Sequence, residues 1–455
     1  MLESFFAYIY ALRSLILGAP PGGADSPSAR HDAAGSKAQV RLPVATVLAS
    51  SKTDNTMDFA LTDHQKLIRD TVRQFMEIEV RPLVKDLERE EKFPLDLLKK
   101  LGEMGCCGML TPEPWGGPGL DTVSYVLMLE EVARVYTALS TALGVTNSAV
   151  QAPLAQFGTE AQKGKYLRRL ASGEILGSFC LTEAVAGSDA AGIQSTATCT
   201  NRSCENVAHG LGLASSAADG IYLLNGAKTW VTNGSVAGVY IVFAKTDPHA
   251  GGKGITAFLV EPTFPGFKIG RHEDKMGQRS SPSVEILLND CEVPAGNRLG
   301  DEGQGLKIAL SALDGGRIGI AAQAVGLAQG ALDESIKYAK SRRAFGKSIG
   351  DFQAIQWMIA DMQTELEAAR SLTYYAAWLK DSGKPMGSAA SKAKLYASEM
   401  ANRVAYKAVQ IHGSVGYSRE TDVERMYRDA RVIPIYEGTS EVQRMIIARD
   451  LLKQL

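Results

Sequence analysis

The sequence predicts an α+β multidomain chain, with an N-terminal helical domain, a central β-barrel-like domain and a C-terminal four-helix bundle. Three observations predict it. Apolar residues recur at helical spacing from Thr62 to Ala171. Short runs rich in β-branched and aromatic residues follow from about Ile175, and helical periodicity returns at Gly305 and persists. At 455 residues, 45% hydrophobic and 22% charged, the chain has ample core for roughly two to three domains.

The elements follow in order. Residues 1–56 stand apart as a disordered or targeting extension. Ser4 to Leu17 is an apolar run broken by Arg13, too short to span a membrane, and Gly18 to Thr56 is rich in Ala, Gly, Pro and Ser without periodicity. Arg13, Arg30, Lys37 and Arg41 suit a mitochondrial transit peptide, while Glu3, Asp25, Asp32 and Asp54 count against one. The expected location is therefore the mitochondrial matrix if this segment is a transit peptide, and otherwise a bacterial-type cytoplasm.

The helical domain is expected over 57–175. Thr62-Asp63-His64-Gln65 is a capping box, with Leu67, Ile68, Val72, Phe75 and Met76 on one face of the helix it opens. Further helices are expected over Val123–Ala133, Thr137–Phe157 and Glu160–Ala171. The β domain, 176–299, should hold strands at Ser178–Leu181, Ile221–Leu224, Val239–Ala244, Ile255–Val260 and Val284–Leu288, separated by turns such as Asn225-Gly226 and Asn233-Gly234. Thr200 to Gly220, rich in Ser, Ala, Gly and Asn, reads as a surface loop. The final bundle, 300–455, should contain long helices at Leu306–Lys340, Phe352–Lys380 and Ser388–Gly413.

Composition excludes several functions. Lys+Arg total 49 against 50 Asp+Glu, a net charge of −1, which argues against nucleic acid or a membrane surface as partner. The six cysteines form no CxxC pair and no zinc spacing with histidine, so reduced thiols are the default. There is no HExxH and no GxGxxG. Phe345-Gly346-Lys347-Ser348 resembles the end of a P-loop, but Ser341 stands in the place of its first glycine.

The stretch Ile435-Tyr436-Glu437-Gly438-Thr439-Ser440-Glu441-Val442-Gln443 carries the clearest chemical signal. One carboxylate sits among apolar neighbours, which favour a raised pKa and a general base. A glycine follows at once and lets backbone approach a ligand. Ser440 and Gln443 stand at capping-box spacing, which places Glu437 on a short, nearly extended link before a helix.

Five motifs in one order and spacing complete the reading: Phe179-Cys180-Leu181-Thr182-Glu183 with Ala186-Gly187-Ser188-Asp189; Lys228-Thr229-Trp230-Val231-Thr232-Asn233-Gly234; Arg342 with Phe345-Gly346-Lys347 and Phe352-Gln353; Gln410-Ile411-His412-Gly413; and Tyr436-Glu437-Gly438-Thr439. Together they resemble the acyl-CoA dehydrogenase family from Met57 to Leu455. The resemblance implies FAD between the β domain and the C-terminal bundle, partly completed by a neighbouring subunit. It implies that Phe179, Leu181, Thr182 and Ser188 lie along the cofactor, that Trp230 and Thr232 wall it, and that Thr439 and Glu441 make the last contacts. Arg342, Phe345, Gln353, Gln410 and Gly413 match positions that hold the pyrophosphate and adenosine from the partner subunit, and Ser414 falls where backbone approaches the cofactor.

Ser188, Asp314, Arg317, Tyr436 and Gly438 match acyl-CoA contacts. Some family members carry their base just before the arginine of Asp314-Gly315-Gly316-Arg317. Here that position is Gly316, which leaves Glu437 as the matching base, and Asp-Gly-Gly-Arg-Ile-Gly resembles the short-chain, butyryl-CoA branch. The implied reaction removes the α proton of the thioester with Glu437 while hydride leaves the β carbon for the flavin. Electrons then pass to electron-transfer flavoprotein, as part of fatty-acid β-oxidation or short-chain acyl-CoA metabolism, in a homotetramer. A branched-chain or dicarboxyl-derived substrate, an oxidase, and a non-enzymatic member that has lost FAD are the alternatives.

Three departures stand out. Ala184 replaces the usual proline and is expected to loosen its loop. Ser414 replaces a glycine, and a positive φ there would strain the cofactor site. The segment 200–220 is longer than usual.

Overall fold

The computed structural model describes residues 60–200 and 220–453. The expectations for 1–56 and for most of the 200–220 loop therefore fall on residues outside the described ones.

The chain opens with helices α1 (Asp63–Phe75), α2 (Val84–Glu90), α3 (Leu95–Glu103), α4 (Thr122–Val135), α5 (Thr137–Gly144), α6 (Ala152–Phe157) and α7 (Glu160–Ala171). The Thr62 capping box forms as expected, with Thr62 Oγ1 accepting from Gln65 N and Gln65 Oε1 from Thr62 N. Asp121 caps α4 by accepting from Ser124 N at 2.6 Å. Between α5 and α6 the backbone widens into a π-helical segment, Val145–Gln151, that faces the large cavity described below.

Eight strands among the described residues form one sheet: β1 (Leu176–Cys180), β2 (Thr196–Cys199), β3 (Ile221–Thr232), β4 (Ala237–Lys245), β5 (Ile255–Val260), β6 (Phe267–His272), β7 (Ser283–Pro294) and β8 (Arg298–Leu299). The order is β6-β7-β3-β2-β4-β5-β8, with β1 parallel to β4. Along β4 alternate residues serve two cores. Tyr240, Val242 and Ala244 join Tyr222, Phe258 and Ile286 inside the sheet, while Val239, Ile241 and Phe243 join Leu154, Leu167 and Ile308 against helices. Tyr222 on β3 and Phe258 on β5 meet at 4.9 Å although their strands are not neighbours, so the sheet curls around its own core as a barrel-like domain does.

Strands β2, β6 and β8 escape the sequence pattern, being short or only half-buried. The Asn225-Gly226 pair is not a turn. β3 runs straight through it, and the pair marks a bulge in the β3–β7 ladder with Gly226 at φ 139°. Asn233-Gly234 does turn the chain, from β3 into β4.

A two-stranded ribbon, β9 (Arg343–Ala344) and β10 (Lys347–Ser348), separates α8 (Gly305–Ser341) from α9 (Gln353–Asp381). Helices α10 (Gly387–His412), α11 (Asp422–Ala430) and α12 (Ser440–Leu452) complete the chain. Gly326 and Gly330 let α8 approach α4 closely: a β-carbon on either would stand 2.2 Å from a backbone carbonyl oxygen of α4. No helix among the described residues is long and apolar enough to cross a membrane. Cys106, Cys107, Cys180 and Cys291 are buried free thiols, whereas Cys199 is disulfide-bonded, which departs from the all-thiol expectation.

Candidate active site

A cavity of about 1350 Å³ opens between the β sheet, helices α4, α5 and α8, and the chain from Arg428 onward. It is lined by Phe179, Leu181, Thr182, Ser188, Trp230 and Thr232 from the sheet side, Arg317 from α8, and Tyr436, Glu437, Gly438 and Thr439. These predicted residues converge on one site although more than 250 positions of sequence separate the first from the last.

Glu437 is not on an extended link. Its φ is 50° and that of Gly438 is 95°, so two successive residues adopt left-handed backbone, a strained pairing for a non-glycine. Two side-chain donors hold the strained turn. Lys394 Nζ and Gln443 Nε2 donate to the Gly438 carbonyl oxygen at 2.7 and 3.0 Å. Tyr436 is fixed through its hydroxyl, which donates to Gln323 Oε1 and accepts from Gln278 Nε2. The helix start also differs from expectation. Thr439, not Ser440, is the cap, accepting from Val442 N at 3.3 Å, and Gln443 turns back on the Gly438 carbonyl instead of closing a box.

Glu437 lines the cavity, and its Oε2 is buried without a hydrogen-bond partner among the described residues. Burial raises its pKa to about 7, against the opposing pull of Lys394 and Arg317. The Glu437 N–H likewise donates to no acceptor among the described residues.

Gly316 explains how the carboxylate fits. A β-carbon on Gly316 would lie 2.1 Å from Glu437 Oε2, so α8 has no room for a side chain at the point where the carboxylate sits. The next residue, Arg317, is buried and ion-paired with Asp314 one turn before it. A side pocket of about 270 Å³ shares Arg317, Arg449 and Lys453 with the cavity and adds Asp314.

The sheet side is rigidly built. Trp230 sits at φ 59° in a second bulge of the β3–β7 ladder and is 58% exposed, its indole presented to the cavity. Phe179 packs on Phe243 at 4.9 Å. Ala184 does not loosen its loop. The neighbouring Glu183 accepts from Gln194 N, Ser195 N, Ser195 Oγ and Lys228 Nζ at 2.6–3.0 Å, which pins the 183–195 connection to β3.

The remaining predicted residues lie elsewhere. Arg342, Phe345, Gln353, Gln410, Gly413 and Ser414 are all exposed and line no part of the cavity of their own chain. Phe345 is 94% exposed at φ 49°. Glu441 is exposed on the first turn of α12, its carboxyl held below the usual range by backbone and Thr439 hydrogen bonds. Ser414 is not strained: the left-handed residue there is Gly413, at φ 62°, and Ser414 follows it into a 3₁₀ turn.

The residues fit FAD. An aromatic residue strained into positive φ and left open to the cavity has no packing reason to be there, whereas a flat ring system would cover it. Sequence reasoning missed Lys394, Gln278 and Gln323, gave Gln443 a capping role in place of its bond to the Gly438 carbonyl, and missed Arg449 and Lys453 at the cavity mouth. Of the missed residues Lys394 left a signal: it falls in register with Ala390, Ala393, Ala397 and Ala401, on the apolar face of α10.

Three stretches match a single family: residues 62–174 its N-terminal domain, 178–291 its middle domain and 303–452 its C-terminal domain, each described as acyl-CoA dehydrogenase. The chain is 42% identical over 397 residues to a short-chain specific acyl-CoA dehydrogenase of Clostridium acetobutylicum, covering 87% of this chain and 100% of that protein. It is 45% identical over 394 residues to the caffeyl-CoA reductase-Etf complex subunit CarC of Acetobacterium woodii, covering 86% and 99%. The solved structure of butyryl-CoA dehydrogenase from Megasphaera elsdenii superposes with a TM-score of 0.81 at 44% identity, covering 87% and 100%.

Proposed function

The chain belongs to the acyl-CoA dehydrogenase family, whose members are FAD-dependent oxidoreductases acting on CH–CH bonds, and from that premise we propose the following reaction. It oxidises a short, unbranched acyl-CoA thioester to the trans-2-enoyl-CoA and passes the electrons to electron-transfer flavoprotein. The observation that carries this reading is the carboxylate of Glu437, unpartnered at Oε2 and seated where α8 carries only Gly316.

Bound FAD supplies the acceptor for the hydride that leaves the substrate β carbon. Phe179, Leu181, Thr182, Trp230 and Thr232 would hold its ring system. Arg342, Phe345, Gln353, Gln410, Gly413 and Ser414, exposed and remote from their own cavity, would hold the other end of the cofactor of a neighbouring copy. An exposed arginine suits that end, since it makes paired, charge-assisted bonds to phosphate. The main-chain N–H of Glu437 is free to donate to the thioester oxygen as negative charge builds there, and such donors are worth about 2.7–4 kcal/mol in other enzymes.

Glu437 takes the α proton. Its pKa near 7 makes it basic enough to accept a proton and still largely ionised just above neutrality. The exposed Arg449 and Lys453 give the mouth a cationic rim for the phosphates of CoA, in the same side pocket as the buried Arg317–Asp314 pair. Ser188, exposed, also lines the cavity. The named relatives, one short-chain specific and one an Etf-complex subunit, support both the substrate class and the electron partner.

The test is anaerobic bleaching of the flavin absorbance of the purified protein by butyryl-, octanoyl-, isobutyryl- and glutaryl-CoA. Fastest bleaching by butyryl-CoA supports the reading. Preference for isobutyryl- or glutaryl-CoA would replace it with a branched or dicarboxyl-derived substrate.

A further inference from the structure

Lys394 has no obvious reason to be buried. It is fully inaccessible on α10, among Ala390, Ala393, Ala397 and Ala401, and a buried ammonium ordinarily requires a partner carboxylate. Among the described residues no carboxylate comes within salt-bridge distance of its Nζ. Among the described residues its Nζ hydrogen-bonds the Gly438 carbonyl oxygen alone, at 2.7 Å. That carbonyl belongs to the second residue of the left-handed pair that aims Glu437, and Gln443 donates to the same oxygen.

We infer that Lys394 is a positioning residue for Glu437: it locks the left-handed Glu437–Gly438 turn through the Gly438 carbonyl, and its charge, held short of contact, keeps the neighbouring carboxylate in the proton-accepting form. The inference rests on Glu437 being the base. A contact ion pair would serve less well, because it would occupy the carboxylate oxygen that must reach the substrate. The structure avoids this, since Oε2 has no partner and the ammonium is spent on a carbonyl.

The groups facing Glu437 are few. Arg317 on α8 is the other cation, and it is already paired with Asp314. Tyr125 on α4 and the adjacent Tyr436 are buried phenols whose pKa values are raised by burial, so they stay neutral across the working range. Glu441 and Glu399 act on Lys394 and support its charge. Burial lowers the Lys394 pKa to about 8, so the cation persists at neutrality.

The test uses the holoprotein and reads the Glu437 carboxyl directly. Infrared difference spectra against Glu437→Gln identify its band, and the midpoint is followed with pH in wild type, Lys394→Met and Lys394→Arg. This readout needs no substrate, so it stands whether or not butyryl-CoA bleaches the flavin, and the acyl-CoA panel tests the function separately. In Lys394→Met the midpoint should rise by about one pH unit or more, a tenfold change in the ionised fraction, and Lys394→Arg should restore it toward wild type. Lys394→Gln, which keeps a donor without the charge, supplies the same comparison if the Met variant does not fold. An unchanged midpoint in a folded neutral variant overturns the inference and leaves Lys394 with a packing role only.

Discussion

Replacing Gly316 by alanine should disable the enzyme while leaving it folded. The alanine β-carbon would stand 2.1 Å from Glu437 Oε2 and 3.0 Å from its Cδ, where ordinary contact begins near 3.4 Å. The carboxylate must therefore retreat by about 1.3 Å, and a misplacement of about 1 Å can cost about 100-fold in rate. That corresponds to about 2.7 kcal/mol of lost transition-state stabilisation. Backbone propensity works the other way, because alanine is favoured over glycine inside a helix by about 0.5–1 kcal/mol. Thermal stability should then hold or rise while the rate falls, a combination that general misfolding does not produce. Anaerobic stopped-flow reduction of the bound flavin by butyryl-CoA gives the rate, and calorimetry gives the Tm. A Gly316→Ala protein that reduces its flavin within about twofold of wild type would refute the reasoning. A companion double variant, Gly316→Glu with Glu437→Gly, puts a carboxylate on α8 instead and should exceed Glu437→Gly alone.

Three further outcomes follow from the same geometry. Flavin reduction by substrate should fall as pH drops below about 7, approaching tenfold per unit, because Glu437 is then protonated; the pH profile of the single-turnover rate checks this. The sign for stability is opposite: the folded pKa is raised above the usual carboxylate value, so the buried charge weighs against the fold at pH 8 and is relieved as pH falls through 7, and Glu437→Gln should gain stability over wild type at pH 8 but not at pH 5 in urea titrations. Lys228→Met should cost about 3–5 kcal/mol and lower FAD retention, since it strands the Glu183 carboxylate that pins the loop behind Thr182; denaturant midpoints and flavin content after gel filtration measure both. Ser414→Gly should leave flavin content unchanged, as the positive φ at that corner belongs to Gly413, and a clear gain in content would show that Ser414 is strained after all.

The three-part architecture was legible because its elements carry their periods openly. The Thr62 box and the Ala- and Gly-rich run of α8 are local signals, and local signals survive into the fold. What escaped depends on distant partners. Asn225-Gly226 has turn chemistry, yet β7 pairs across it and makes it a bulge, a choice set by a strand about sixty residues away. Ser440 and Gln443 have capping-box spacing, but Thr439 is one residue closer to the turn, and Gln443 is drawn to the carbonyl that Lys394 also holds.

Site residues with a motif of their own, such as Glu437, Trp230 and Thr182, were found in sequence and meet at the cavity. Those whose work is to hold others, such as Gln278, Gln323 and Lys394, carry no motif, because a hydrogen bond to a remote tyrosine or carbonyl leaves no trace in spacing. The strain at Glu437 was illegible for the same reason. Nothing next to a glutamate announces a left-handed backbone, and the groups that enforce it come from α10 and α12.

The central claim is that the Glu437 carboxylate removes the substrate α proton. The most direct measurement is single-turnover reduction of the flavin in Glu437→Gln by butyryl-CoA, with flavin content and acyl-CoA binding measured on the same preparation. The account predicts a protein that keeps its FAD and still binds the thioester but bleaches slower than wild type by at least about 1000-fold, the loss of a general base together with its charge. Bleaching at a rate near that of wild type would contradict it and assign the proton to another group in the cavity.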